Sequence, residues 1–217
     1  MCIRDRRLRK TPIKNESDLI IWIGVYKNHP GLYVSVYAFS GLKEGKVDYL
    51  TAMIDRIYLD YDHKTNPEKA IDEALLTIRS LTRHGIYPVA YFTGQKGVAL
   101  YIDFITVDIA PENKKDVIAR FFDMVIKTVY EDFSIQLETL DPQIRGDITR
   151  VSRLPNTRHS SGLYCIPISP DDMGKGFDHI KSLAGGPRGD FDLEAIITEN
   201  ILKNQIMPIL IKNIEKK

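Results

Sequence analysis

The chain shows two kinds of hydrophobic pattern, and the first is the short apolar segment typical of a β-strand. The segments DLIIWIGVY (18–26) and GLYVSVYAF (31–39) are rich in β-branched and aromatic residues, and KNHPG between them is typical of a turn. Together they predict a β-hairpin. DRIYLDYD (55–62) predicts the next strand. YPVAYF (87–92) and VALYIDF (98–104) predict two further strands, which the glycine-bounded turn TGQKG connects.

The second pattern is helical spacing, which is clearest after residue 66. Thr65 and Glu68 have the spacing of a capping box, and Pro67 falls in the first turn of the helix that they would begin. Gly85 is placed to end this helix. Apolar residues recur on one face at Ala70, Ile71, Ala74, Leu75, Ile78 and Leu81.

The C-terminal half continues the same mixture of elements. A second amphipathic helix is predicted over 111–133, a strand over 163–168, and a helix interrupted at Pro208 over 192–217. The resulting order, β-β-β-α-β-β-α-loop-β-α, predicts an α+β (mixed α/β) fold in which an antiparallel or mixed sheet is flanked by helices.

Composition and charge set the class of protein and its domain organisation. The chain has 217 residues and a net charge of +1, so net charge gives no argument for a nucleic-acid partner. Cys2 and Cys165 lie far apart, which argues against a disulfide framework or a structural zinc site and fits a reducing compartment. With no apolar run of membrane-spanning length and no signal core, we expect a cytoplasmic protein without a membrane partner.

The predicted domain organisation has three parts. Residues 1–10 are basic and are interpreted as an unstructured leader, and residues 11–185 as one domain. Residues 186–217 are interpreted as a helical tail, with the boundary in AGGPRGD (184–190).

Asp60 and Asp62 stand at the end of the strand predicted over 55–62. Side chains in a strand alternate between faces, so these two carboxylates point the same way. Like charges held side by side repel, and shielding them from water adds a further cost. Either the acids meet solvent at the strand end, or they form a pair of ligands for Mg²⁺ or Mn²⁺, which prefer carboxylate oxygens.

Two further segments carry residues suited to phosphate. In the turn FTGQKGV (92–98), Thr93 and Lys96 offer polar contacts, and Gly94 and Gly97 permit a close backbone approach; the alternative is an ordinary hairpin turn. The segment DPQIRGDITRVSRLPNTRH (141–159) combines an acid with forked arginines, which suit bidentate phosphate contacts; the alternative is a solvated basic loop. Its candidate residues are Asp141, Arg145, Arg150, Arg153, Arg158 and His159.

The three segments together resemble the archaeo-eukaryotic primase superfamily, which includes the small catalytic primase subunit and plasmid- or virus-type primase-polymerases. The family's first motif is a strand with two acids one residue apart, matched by Asp60 and Asp62. Its second is a small-residue turn with basic groups, matched over 93–97. Its third runs from an acid through spaced basic residues to a proline and a histidine, matched from Asp141 through Pro155 to His159. The resemblance covers about residues 55–168.

The resemblance implies a template-directed nucleotidyl transferase with a primase-like catalytic domain over 11–185. Asp60, Asp62 and Asp141 would be catalytic and would hold two Mg²⁺ or Mn²⁺ ions. The implied partners are single-stranded or primed DNA and nucleoside triphosphates, with a helicase or large primase subunit left open. Nucleotide binding is implied for Thr93, Gly94, Gln95, Lys96, Gly97, Arg153 and His159, and nucleic-acid contact or support of the site for Arg145, Arg150 and Arg158.

The second motif departs from the family pattern at two positions. Thr93 stands where the family has serine, and Ala99 stands where it has histidine. Thr93 keeps a hydroxyl, whereas Ala99 cannot contact a phosphate. Two alternatives therefore stay open beside a priming enzyme: a non-catalytic nucleic-acid-binding accessory subunit, and a repair polymerase that extends ends and fills gaps. The preference between ribonucleotides and deoxyribonucleotides also stays open.

Overall fold

The computed structural model describes residues 2–4, 11–13, 15–26 and 31–216 of the chain. Within these ranges, the strands are β1 (Cys2–Arg4), β2 (Thr11–Pro12), β3 (Tyr33–Ser35), β4 (Ala38–Phe39), β5 (Leu42–Lys43), β6 (Lys46–Val47), β7 (Ala52–Asp62), β8 (Val89–Phe92), β9 (Gly97–Val107), β10 (Val151–Arg153) and β11 (Ile166–Ile168). The α-helices are α1 (Glu16–Tyr26), α2 (Pro67–Arg83), α3 (Lys114–Phe133), α4 (Pro170–Gly174), α5 (Phe177–Leu183), α6 (Leu193–Lys203) and α7 (Ile206–Glu215). Single 3-10 turns lie at Tyr49–Thr51, Pro111–Asn113 and Pro142–Ile144.

The strands form two main sheets and one small ribbon. The larger sheet has the order β11-β8-β9-β7-β4, the second has the order β10-β3-β1-β2, and β5 pairs with β6. Every pairing among the described strands is antiparallel, so the sheets are not mixed. The predicted α+β fold class, with helices flanking the sheets, is confirmed.

The pleat of β7 separates a helix-covered face of the larger sheet from the face that carries the acids. Tyr61 is fully buried and its hydroxyl donates to Thr77 Oγ1 of α2 at 2.7 Å, so this face packs against helices. Asp60 and Asp62 point to the opposite face. There they line a cavity together with residues 151–153 of β10, which belongs to the second sheet.

The segment 18–26, predicted as a strand of a hairpin, is part of helix α1 instead. Asn15 supplies a helix start that the strand interpretation overlooked. Its Oδ1 accepts a hydrogen bond from the backbone N–H of Asp18 at 2.9 Å, and its carbonyl accepts one from Leu19 at 3.3 Å. Because β-branched residues lower helix propensity by well under about 1 kcal/mol each, a capped segment rich in them can still be helical.

Helix α2 is confirmed, but its first residue is capped differently from the prediction. The N-cap is Asn66, whose Oδ1 accepts from the backbone N–H of Lys69 at 3.3 Å. The carboxylate of Glu68 accepts instead from the backbone N–H of Phe177 at 2.8 Å, which ties α2 to α5. Gly85 follows the helix with a φ of +76°, as expected for a residue that ends it.

The C-terminal helices pack into the same core as the larger sheet. Met207 and Ile211 of α7 are fully buried in that core. The predicted interruption at Pro208 is wrong by several residues, because Pro208 lies in the first turn of α7, where its missing N–H costs nothing. The break falls at the buried Asn204, whose amide bonds the backbone of Tyr87 and the carbonyl of Asp103.

The leader predicted over residues 1–10 can be compared with the structure only in part. Most of the leader interpreted over 1–10 lies outside the described residues, and Cys2–Arg4 form β1.

None of the helices in the described ranges combines the length and the apolarity needed to cross a bilayer.

Candidate active site

Three carboxylates lie close together at the end of β7. Asp60 and Asp62 belong to the strand itself, and Asp141 belongs to the segment that pairs with it. Residues 139–141 run antiparallel to the edge of β7 that β9 leaves uncovered, with Tyr61 opposite Leu140. The backbone N–H of Asp141 donates to the carbonyl of Asp60 at 2.8 Å, and that of Asp62 donates to the carbonyl of Thr139 at 2.9 Å. Backbone hydrogen bonds therefore bring Asp141 to the strand that carries the other two acids, although 79 residues separate it from Asp62 in the sequence.

Arg150 lies between two of these acids. Its Nη2 donates to Asp60 Oδ2 at 2.6 Å and to Asp141 Oδ2 at 2.8 Å. About a fifth of each of these three side chains is exposed. The sequence assigned Arg150 only a supporting or template-contacting part, whereas its position makes it the positive charge closest to the carboxylates.

The electrostatics of this group balance burial against pairing. Burial raises the pKa of Asp60 above its ordinary value, and the neighbouring Asp141 and Asp62 raise it further, against the lowering effect of Arg150. Burial alone would lower the pKa of Arg150, but its hydrogen bond to Asp60 and the nearby acids raise it overall. The guanidinium is thus held firmly in its charged form, while the carboxylate of Asp60 is only partly compensated.

A cavity of about 230 Å³ opens beside the acids. It is bounded by the end of β7, the turn between β8 and β9, strand β10 and the segment that follows β10. The predicted site residues that line it are Asp60, Asp62, Thr93, Gln95, Lys96, Arg150, Arg153 and His159. Asp141 adjoins this group through Arg150.

The turn between β8 and β9 places a lysine beside the second acid. Lys96 Nζ lies 3.3 Å from Asp62 Oδ2. Gly97 pairs directly with Asp62, and a Cβ at Gly97 would lie 2.6 Å from the carbonyl oxygen of Tyr61. Gly94 has a φ of +94°, and a Cβ there would lie 2.7 Å from the Cβ of His159. Both glycines are therefore required by close packing around the site, independently of any phosphate.

Arg153 and His159 reach the same cavity from either side of Pro155. Arg153 packs its guanidinium over the ring of Tyr33, 4.7 Å from the centroid, and donates to the Tyr33 hydroxyl oxygen at 2.8 Å. His159 accepts a hydrogen bond at Nδ1 from the backbone N–H of Ser161 at 2.9 Å. Both residues line the cavity although Pro155 lies between them in the chain.

Two of the predicted basic residues lie outside the cavity lining. Arg145 forms a bidentate pair with Asp123 of α3, with N–O distances of 2.8 and 2.6 Å. Arg158 is exposed, and its Nε donates to the carbonyl of Gly162 at 3.4 Å. A direct contact with a nucleotide in the cavity therefore has less structural support for these two than for Arg150 or Arg153.

Four residues of the cavity lining were missed from the sequence: Tyr33, Tyr58, Val151 and Ser152. Tyr58 precedes Asp60 by two residues, so strand alternation already placed it on the face of the acids. Its ring packs edge-on against Tyr101, with centroids 5.1 Å apart. Tyr33 and Ser152 carried no such signal, because only the pairing of β3 with β10 brings them to the cavity.

Ala99, the position where the family pattern has histidine, is directly paired with Asp60 across β7 and β9. It is 2% exposed and lies between Asp60 and Tyr91, which pairs with it from β8. Directly opposite residues of an antiparallel pair share a face. A histidine here would therefore stand next to the first acid, and the alanine removes that imidazole from the site.

Two features of these carboxylates bear on their fit to divalent metal ions. No cluster of three or more His, Cys, Asp or Glu side chains in the described part of the chain is arranged to hold a metal. Asp60 and Asp141 instead share a guanidinium, which is itself a cation bound by two carboxylates. Asp60 and Asp62 line the cavity and Asp141 adjoins them through Arg150, so the donors have the oxygen chemistry that Mg²⁺ and Mn²⁺ select, and Arg150 marks the place where positive charge is stabilised.

Comparison with known proteins gives a structural match without a sequence match. No family model and no curated protein matches the chain. Among solved structures it is similar to the polymerase domain of Mycobacterium tuberculosis Ligase D in complex with DNA, with a TM-score of 0.57 and 14% sequence identity. The match covers 91% of this chain and 74% of the other. At this identity the likeness concerns the fold alone.

Proposed function

We propose that this protein is a template-directed nucleotidyl transferase of the primase-polymerase kind. The observation that carries the proposal is that Asp60 and Asp62 line one cavity with Lys96 and Arg153, while backbone pairing holds Asp141 beside Asp60. A cavity that combines acids with cations suits a reaction in which a triphosphate is bound and its α-phosphate is attacked. The fold shared with a DNA-bound polymerase domain supports the same class of reaction.

In this proposal the three acids are metal ligands. Asp60, Asp62 and Asp141 would hold Mg²⁺ or Mn²⁺, which supplies Lewis-acid chemistry by favouring ionisation of a 3'-hydroxyl and stabilising negative charge on phosphate. The backbone pairing of residues 139–141 with β7 keeps the carboxylates close without any ligand. The protein therefore does not have to assemble the acids when substrate arrives.

The cationic side of the cavity would bind the nucleotide triphosphate. Arg153, fixed by its stacking on Tyr33, offers a permanent charge, and Lys96 offers a second one beside Asp62. His159, which lines the same cavity, would add a further hydrogen-bonding group. The turn residues Thr93 and Gln95 complete this side, and their hydroxyl and amide groups can bond phosphate oxygens without adding charge.

An incorporation assay on defined DNA tests this function directly. Labelled ribonucleotides or deoxyribonucleotides are supplied with single-stranded, primed or gapped DNA, with and without Mg²⁺ or Mn²⁺. Product on single-stranded DNA without a primer would establish priming, whereas product only on primed or gapped DNA would establish extension or repair. Absence of product on all three templates with either metal would refute the proposal.

The alternative is an accessory subunit that binds nucleic acid without catalysis, and Ala99 is the observation that favours it. This residue leaves Asp60 without the neighbouring imidazole of the family pattern. Titration calorimetry separates the two functions, because an accessory subunit need bind neither metal nor nucleotide. An enzyme must bind both at concentrations that support incorporation.

A further inference from the structure

Arg150 stands where a bound cation would also be stabilised. Both oxygens of Asp141 are engaged, since Oδ1 accepts from the backbone N–H of Gln143 at 2.9 Å and Oδ2 accepts from Arg150 at 2.8 Å. Oδ2 of Asp60 accepts from the same Nη2 of Arg150 at 2.6 Å. A divalent ion that binds both carboxylates close to these Oδ2 atoms would compete with the guanidinium for them, and the two cations would repel each other.

The arrangement differs from an ordinary surface pair, as Arg145 illustrates. Arg145 binds one carboxylate, Asp123, and half of each side chain is exposed. Arg150 binds two carboxylates from separate segments, and only 22% of its side chain is exposed. Partly buried charges are screened less by solvent, so the competition between two cations at this position is stronger than at the surface.

We propose that Arg150 is a built-in counter-cation, which joins Asp60 to Asp141 in the metal-free protein and competes with Mg²⁺ or Mn²⁺ for their oxygens. The inference rests on the proposed function, because it takes these acids as the metal site. In the absence of metal, Arg150 stabilises two carboxylates that would otherwise repel each other. When metal enters, the guanidinium and the ion compete for the same carboxylates and repel each other, so each cation weakens the binding of the other by the same factor.

The test compares metal binding and stability in four proteins: wild type, Arg150→Met, Arg150→Lys and the surface control Arg145→Met. Calorimetry measures the Kd for Mn²⁺ alone, and thermal unfolding is followed with and without saturating Mn²⁺. We expect Arg150→Met to bind Mn²⁺ about tenfold more tightly than wild type, a factor that corresponds to about 1.4 kcal/mol. Arg150→Lys should fall between the two, because it keeps the charge but loses the fork that reaches two carboxylates.

Thermal unfolding distinguishes competition from a structural contribution alone. Arg150→Met should lower the Tm of the metal-free protein, and saturating Mn²⁺ should remove most of the difference from wild type. A merely structural arginine would lower the Tm equally with and without metal. Arg145→Met should match wild type in both its Kd for Mn²⁺ and the Tm shift that Mn²⁺ produces.

The outcomes separate failure of this inference from failure of the proposed site. If wild type binds Mn²⁺ and Arg150→Met binds it equally or more weakly, the competition is refuted and the metal site stands. If none of the four proteins binds Mn²⁺, the metal site and this inference are both refuted. Should Arg150→Met fail to fold, Arg150→Lys decides alone, and a Kd no tighter than that of wild type refutes the competition.

Discussion

Two aspartate–arginine groups in this protein look alike in geometry and differ in electrostatics. Arg150 donates to Asp60 and Asp141 at 2.6 and 2.8 Å, and Arg188 donates to Asp172 at 2.9 Å. Both arginine side chains are mostly buried, with 22% and 11% exposed. Yet the pKa of Asp60 lies above its ordinary value, and the pKa of Asp172 lies well below it.

The cause of the difference is how fully each carboxylate is hydrogen-bonded. Burial would raise the pKa of Asp172, but it accepts from the backbone N–H and the hydroxyl of Ser169 at 3.0 and 2.9 Å as well as from Arg188, and these bonds lower its pKa. Ser169 and Asp172 also form the capping box of α4. By contrast, among the described residues the carboxylate of Asp60 accepts a hydrogen bond from Arg150 alone.

The comparison separates a carboxylate whose hydrogen bonds are all made within the protein from one that is only partly compensated. A carboxylate with all its hydrogen bonds made inside the protein stabilises the fold and has no capacity left for a substrate or metal. A carboxylate that is buried, near two other acids and only partly compensated stores electrostatic free energy, which a cation can release. Asp172 belongs to the first kind and Asp60 to the second.

The largest expected effect is a loss of the proposed nucleotide incorporation when a carboxylate of the cavity is replaced. Asp60→Asn or Asp62→Asn should reduce nucleotide incorporation by more than about a hundredfold, because transition-state stabilisation by metal ions is worth several kcal/mol. Incorporation per folded molecule is measured on the template that supports activity. Asp123→Asn, on the exposed surface of α3, is the matched control and should keep the wild-type rate. Near wild-type incorporation by either active-site variant would contradict the metal-ligand assignment.

The next largest expected effect is a loss of stability when Asp172, the fully hydrogen-bonded carboxylate, is replaced. Asp172→Ala removes one half of the capping box of α4 and leaves Arg188 without this partner, so the free energy of unfolding should fall by about 3 kcal/mol. Urea denaturation measures the loss. Asp178→Ala on α5, whose side chain is 99% exposed, is the control and should change stability by less than about 0.5 kcal/mol.

The stability that Asp172 contributes should also depend on pH with a definite sign. Its folded-state pKa is depressed, so its contribution is present above the unfolded carboxyl pKa of about 4 and is lost as the pH falls below that value. The difference in unfolding free energy between wild type and Asp172→Ala should therefore shrink in acid. A difference that stays constant from neutral to acidic pH would mean that the carboxylate charge is not the source.

Arg153 extends the comparison to an arginine held by an aromatic ring. Arg153→Ala should raise the KM for nucleotides about tenfold or more, because a hydrogen bond to a charged phosphate is worth about 1.5 to 3 kcal/mol. DNA affinity, measured across a salt series, should stay nearly unchanged, and Arg153→Lys should recover part of the KM. If Arg153→Ala instead loses DNA affinity and flattens its salt dependence while the KM stays the same, this residue belongs to the template path.

The smallest expected effect is a gain in stability when the charge of Asp60 is removed. A raised folded-state pKa means that the folded protein holds this proton more tightly, so the contribution of Asp60 to stability falls as the pH rises from about 4 through the folded pKa. Asp60→Asn should then be more stable than wild type at neutral pH, by about 0.5 to 2 kcal/mol, the usual range for single stabilising substitutions. Urea denaturation at neutral and acidic pH should show the gain vanish in acid. A neutral-pH loss of stability would place Asp60 with Asp172 as a structural group.

Local pattern was sufficient for most of the larger sheet and for the helices packed on it. The long amphipathic periodicity of α2 and α3 predicted both helices, and alternation along β7 predicted that Asp60 and Asp62 share a face. Segment 18–26 was predicted wrongly, because apolar composition resembles a strand until the cap at Asn15 is considered. The short helices α4 and α5 were not predicted, because five and seven residues are too few for a periodic signal.

The sequence by itself determined the chemistry of the site: two acids with strand spacing, a glycine-bounded lysine turn, and an acidic and basic segment around Pro155. These are local properties, because spacing along one strand or turn fixes which side chains share a face. Only the tertiary structure decided that Arg150 lies between Asp60 and Asp141 while Arg145 pairs with Asp123 on the surface. The two arginines are chemically identical, and their different roles depend on which carboxylates long-range backbone pairing brings within reach.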